Sequence, residues 1–151
     1  MMNKVQHTRR ERGVGDTAVD GLLAGITAGM GMAVYLVLAG FLSGRGLVEM
    51  LGLFDPVQAG NALTGLLAHL AVAGIYGVIF ALLVMGLGWI RPSFFDISWL
   101  IGLGYGLVLF GLARGVLLTA VDSPLLQVTS IHFAIAHAVY GLILGYWLGK
   151  R

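Results

Sequence analysis

Residues 131–151 read IHFAIAHAVYGLILGYWLGKR. From Ile131 to Gly149 this run holds no Asp, Glu, Lys, Arg or Pro, and its first fixed charges are the closing pair, Lys150 and Arg151. A helix needs about 20 such residues to cross a hydrocarbon core of roughly 30 Å, and the run, taken from Val128, is long enough. It does not alternate with a period of two, so it reads as a helix and not as a barrel strand. Three more runs of this kind precede it, and the four spans are predicted at 18–42, 62–90, 97–121 and 128–149. All three prolines, Pro56, Pro92 and Pro124, fall between spans, where helices are expected to break. The predicted fold is an all-α integral membrane protein: a single four-helix transmembrane bundle over 18–151, preceded by a basic tail over 1–17.

Composition agrees. With 58% hydrophobic and 11% charged residues and a mean hydropathy of +0.93, the 151-residue chain is far more apolar than a soluble domain, which is about one quarter charged. The net charge of +2 matters less than its placement: Lys4, Arg9, Arg10 and Arg12 lie in the first twelve residues. No basic stripe interleaved with aromatics is present, which excludes a nucleic-acid surface. There is no cysteine, which excludes disulfides, thiolate metal sites and cysteine nucleophiles. The first apolar run is longer than the core of a secretory signal and lacks a small-residue cleavage site after it. Arg9-Arg10 is followed by ERGVGD (11–16), not by an apolar stretch, so twin-arginine export does not fit either.

The loops predict orientation. The N-terminus, the GWIRPSFFD turn (88–96) and the C-terminus share one side and carry Lys4, Arg9, Arg10, Arg12, Arg91, Lys150 and Arg151. The opposite side has only Arg45, set against Glu49, Asp55 and Asp122. The positive-inside rule then places both termini in the cytoplasm of a bacterial inner membrane. Trp89, Trp99, Tyr146 and Trp147 fall near that cytoplasmic interface. The first outer loop, 43–61, is long for a simple connection, and its LVEMLGLF (47–54) predicts a short helix lying on the outer surface.

Twenty-four glycines are more than twice the ordinary share, and they are patterned. Gly21, Gly25 and Gly29 recur every four residues in the first span, and Gly141, Gly145 and Gly149 do so in the fourth. Such spacing puts each set on one face, a flat groove for close backbone packing. With Gly102 and Gly106 of the third span, both grooves lie in the cytoplasmic half. HLAVAGIYG (69–77) and HFAIAHAVYG (132–141) match with one inserted residue, the pattern expected of a duplicated helix pair.

Polar residues gather in the other half. At about 1.5 Å of rise per residue, Tyr35, His69, Arg114 and His137 lie roughly 10–14 Å below the outer boundary, one from each span. His132 sits about 7 Å shallower than His137 and some 140° around the helix. A charged arginine at this depth costs a few kcal/mol or more unless it faces protein or water. No carboxylate lies inside the spans at this level; Asp55 and Asp122 at the rim and the Tyr35 hydroxyl are the nearest acceptors. Arg114 is therefore expected to seek an anion: a lipid phosphate, a quinone carbonyl or a tetrapyrrole propionate. The histidines could bridge helices through hydrogen bonds, ligate haem or (bacterio)chlorophyll, or handle protons or metal. Small residues flank each of them: Gly65 and Ala73 for His69, Ala134 and Gly141 for His137, Ala136 for His132. The candidate ligand-binding set is thus His69, His137, His132, Arg114 and Tyr35, with no protein metal site predicted. No phosphate loop, HExxH motif or intramembrane carboxylate pair is present, so no enzyme activity is expected.

The marks His69 with Tyr76-Gly77, Gly102 to Gly106, and His137 with Tyr140-Gly141 and Leu144-Gly145 span most of the chain. On them the chain resembles a loosely defined family of small bacterial four-helix membrane proteins of unknown function. Where such families carry a Pro-Gly turn after the third helix, this chain has DSPLL (122–126). The resemblance implies the four-helix fold and no particular activity. Two functions remain open from the sequence. One is a non-catalytic accessory subunit of a larger respiratory or photosynthetic complex, with other integral membrane subunits and lipids as partners. The other is a small tetrapyrrole- or quinone-binding protein that uses the outer-half layer, within a wedge-shaped cleft holding His69, His137 and Arg114.

Overall fold

A computed structural model of the protein describes residues 13–90 and 97–150. Lys4, Arg9, Arg10, Arg12, Arg91, Pro92 and Arg151, on which most of the orientation reading rests, lie outside the described residues. The elements in chain order are α1 (Val14–Leu42), α2 (Leu47–Gly52), α3 (Ala62–Ile90), α4 (Ser98–Ala120), a 3-10 turn (Pro124–Gln127) and α5 (Ser130–Gly149). Helices α1, α3, α4 and α5 are each long and apolar enough to cross a membrane. Among the described residues there is no strand. The chain is a multi-pass, all-helical membrane protein.

Helix boundaries follow from local chemistry. α1 begins four residues before its predicted start because Asp16 accepts a hydrogen bond from the Gly13 N–H at 3.2 Å, and a carboxylate suits a helix N-terminus. α1 ends where Gly44 takes φ +78°, so that Arg45 N–H can bond Gly40 C=O and Gly44 N–H can bond Phe41 C=O, the double closure that a left-handed glycine permits. α3 starts at Ala62 because the Asn61 side-chain oxygen accepts from the N–H groups of Leu63 and Thr64 at 3.0 and 3.1 Å, satisfying two orphan donors. The predicted surface helix exists as α2, whose Met50 is buried over Gly40. It caps one end of the bundle, hereafter the capped end; the start of α1 and the finish of α5 mark the terminal end.

The neighbours run α3, α1, α5, α4. α1 packs on α3 and α4 on α5, and the two hairpins meet along α1 and α5. In lipid there is no hydrophobic gain from bringing apolar helices together, so close packing and hydrogen bonds must do it. Glycine supplies the closeness. A Cβ added to Gly25 would stand 2.9 Å from Gly77 Cα, and one on Gly102 would stand 2.8 Å from Gly145 Cα. Gly21, Gly77, Gly106, Gly141 and Gly145 likewise face backbone of the opposing helix. The predicted grooves therefore do not face each other: the α1 set receives α3, and the α5 set receives α4. Gly149, the last of the predicted set, is half-buried. Buried Ser98 adds a hydrogen bond to Gly145 C=O at 2.9 Å.

Between the flanking helices α3 and α4 the contact is slight. It is made toward the terminal end, where the Tyr105 hydroxyl donates to Tyr76 C=O at 2.9 Å and its ring lies 4.9 Å from fully buried Phe80. Nearer the capped end α3 and α4 part.

Candidate functional site

The parting of α3 and α4 leaves a cavity of about 260 Å³ in the capped half. Its floor is Met32 of α1 with Phe133 and Tyr140 of α5, and Phe54 and Pro56 of the capping loop roof it. Val72 on α3 and Leu117 on α4 line the cavity and are also exposed, so its mouth lies between those helices. The wall is apolar except for His69, Tyr76, His137 and Tyr140.

Each of these side chains is fixed by the fold. His69 Nε2 lies 2.9 Å from Gly29 C=O, and its ring packs 4.5 Å from that of Phe54. His137, 7% exposed, has Nδ1 2.9 Å from Phe133 C=O of its own helix. Its ring meets Phe133 at 4.6 Å and Phe110 at 6.0 Å, edge to face. The Tyr140 hydroxyl donates to Ala73 C=O at 2.7 Å, tying α5 to α3 beneath the cavity. A carbonyl can only accept, so the proton sits on His69 Nε2 and on His137 Nδ1.

The roof is held by Asp55, 2% exposed. Its carboxylate accepts from the N–H groups of Val57, Ala59 and Asn61 at 3.3, 3.2 and 3.0 Å. This folds 55–61 into a compact turn in which Gln58 and Gly60 have positive φ.

The other sequence candidates lie elsewhere. Arg114 is not on the cavity wall. It belongs to a π-helical turn, Ala113–Leu117, within α4, and its guanidinium donates to Val128 C=O at 2.9 Å and Leu126 C=O at 3.4 Å. Both acceptors are carbonyls that precede α5: the long side chain turns toward the capped end, as arginines near a helix end do. Asp122 is exposed and Asp55 is occupied by its own loop, so neither partners Arg114. Tyr35, expected beside His69 and His137, instead meets His132, with its hydroxyl 3.0 Å from His132 Nδ1. That pair joins α1 to α5 next to a smaller polar crevice of about 150 Å³ at the capped end, lined by Arg45, Gln127 and Thr129. Arg45 bonds Gln127 at 3.3 Å and pairs with Glu49 at 3.5 Å. At the terminal end Lys150 Nζ lies 4.1 Å over the exposed Tyr146 ring.

Of the five candidates, then, the fold brings two to one site. Sequence reading missed Tyr140, Tyr76 and Phe54, which complete it. The tyrosines carried a signal: each lies one residue before a packing glycine. No family model, curated protein or solved structure matches this chain.

Proposed function

We propose that the protein is a small multi-pass membrane protein that binds one lipophilic, ring-bearing molecule in the cavity between α3 and α4, with His69 and His137 meeting its polar groups. The observation that supports this most is the pairing of an open apolar cavity with two histidines, half-buried His69 and buried His137, whose rings are held by backbone carbonyls. The mouth between two membrane-spanning helices admits a ligand from the lipid. A volume of about 260 Å³ lies just below the usual range of ligand pockets, about 300–1,000 Å³, and suits a single ring such as a quinone headgroup better than a whole tetrapyrrole. The bacterial inner membrane is the setting, with both termini cytoplasmic by the loop charges; the cavity then opens in the outer half. The likeness of HLAVAGIYG to HFAIAHAVYG fits two hairpins that share one glycine-packed plan. The resemblance to small bacterial four-helix membrane proteins fits this reading of the fold.

Filling the cavity is the test. Durene, an apolar ring without polar groups, should raise the melting temperature of the detergent-solubilised protein. Ala113→Phe and Ala68→Phe, both at the cavity wall, should abolish that rise. Absence of any response in the parent protein overturns the reading, and a Soret band in the purified protein would replace the single ring by a tetrapyrrole. The second reading is an accessory subunit of a respiratory or photosynthetic complex. It is favoured by how little of the described chain lies outside the four membrane-spanning helices. Elution only together with other integral subunits would support it.

A further inference from the structure

We infer that the cavity selects a ligand that donates hydrogen bonds, an aromatic diol of the hydroquinone type, over the corresponding quinone. This deepens the proposed binding function and rests on it. A neutral imidazole has one donor nitrogen and one acceptor nitrogen. In both histidines the donor is already committed to a backbone carbonyl, Gly29 for His69 and Phe133 for His137. Among the described residues neither ring has a carboxylate partner to hold a second proton. What remains on each is a lone pair, on His69 Nδ1 and on His137 Nε2. Neither nitrogen has a partner among the described residues, and neither is sealed inside protein.

The tyrosines point the same way. The Tyr140 proton goes to Ala73 C=O, which leaves that oxygen only lone pairs. Tyr76 alone keeps a hydroxyl proton to offer among the polar side chains of the wall. Three of the four polar groups can therefore only accept. A hydroquinone brings two O–H donors to opposite ends of one ring, whereas a quinone brings two carbonyls, of which the Tyr76 hydroxyl can satisfy one while the other meets only lone pairs. A site built of polar groups discriminates strongly against a ligand that leaves them unpaired.

Three ligands of nearly equal shape decide it: durohydroquinone kept under argon, duroquinone, and 1,4-dimethoxytetramethylbenzene, each titrated into the parent protein in detergent micelles. The expected result is a Kd for the hydroquinone roughly tenfold below those of the other two, as two hydrogen bonds of ordinary net strength give. His69→Leu and His137→Leu should each remove about half of that advantage, read as the ratio of the hydroquinone Kd to the dimethyl ether Kd on a logarithmic scale. Equal binding of all three, or tighter binding of the quinone, overturns the inference and leaves the cavity as a general lipophile site. Failure of all three to bind overturns the binding function as well. The comparison within the parent protein needs no variant to fold.

Discussion

The terminal half and the capped half of this bundle are made by opposite means. In the terminal half the helices touch backbone to backbone, and at Gly21, Gly25, Gly77, Gly102, Gly141 and Gly145 a Cβ would strike a carbonyl or a Cα that cannot move aside. In the capped half Met32, Phe54, His69, Phe133 and His137 stand between the helices, and the flanking pair parts around them. Glycine closes and large side chains prop. The wedge follows from residue size alone, and its polar lining decides what could enter.

Breaking the closed half should have the largest effect. Gly25→Leu drives a side chain into Ala73 C=O and Gly77, and Gly141→Leu drives one into Gly102 C=O. Each should cost about 3 kcal/mol or more, the upper range for overpacking, and should leave little folded protein after detergent extraction, as read by size-exclusion profile and melting temperature. The contrast sharpens within one helix. Gly104 lies two residues from Gly102 on α4, yet a Cβ added there would meet nothing within 4 Å, so Gly104→Leu should shift stability by no more than about 0.5 kcal/mol. Equal damage from Gly104→Leu and Gly102→Leu would mean that α4 is sensitive to helix propensity or lipid contact and not to the glycine interface.

Next comes the roof. Asp55→Ala leaves three N–H groups of the 55–61 turn without their acceptor and should cost about 2 kcal/mol. The turn should become a site of protease cleavage in detergent, while the helices remain folded. Smaller still is Tyr140→Phe, which removes the α5–α3 hydrogen bond to Ala73 C=O. Interhelical hydrogen bonds in membranes average about 0.6 kcal/mol, so a drop of a few degrees in melting temperature is expected. Tyr35→Phe, which loses the His132 partner, should match it.

The closed half was more legible in sequence than the open half. Glycine at four-residue spacing has one efficient use, so the packing faces could be read, although not which helix each face receives. That choice depends on how the hairpins fold back, and helix periodicity does not encode it. Depth counting set His69 and His137 at one level because rise per residue is nearly constant. It failed for Tyr35 and Arg114 because both are long side chains. Tyr35 reaches along the helix to His132, and Arg114 reaches to the carbonyls of 126 and 128 from a π-helical turn that spacing cannot reveal. The role of Asp55 was hidden for a similar reason: a rim carboxylate looks like a partner for arginine until the loop wraps its own N–H groups around it.

The central claim is that His69 and His137 present lone pairs to one cavity while His132 stands apart. The chain has four histidines, so ¹⁵N-histidine labelling in micelles gives four rings to follow while durohydroquinone is titrated in. The account predicts that the unprotonated nitrogens of His69 and His137, Nδ1 and Nε2 respectively, shift together and saturably, with His7 and His132 unmoved; a shift at His132 alone, or none at His69 and His137 despite saturable binding, would contradict it.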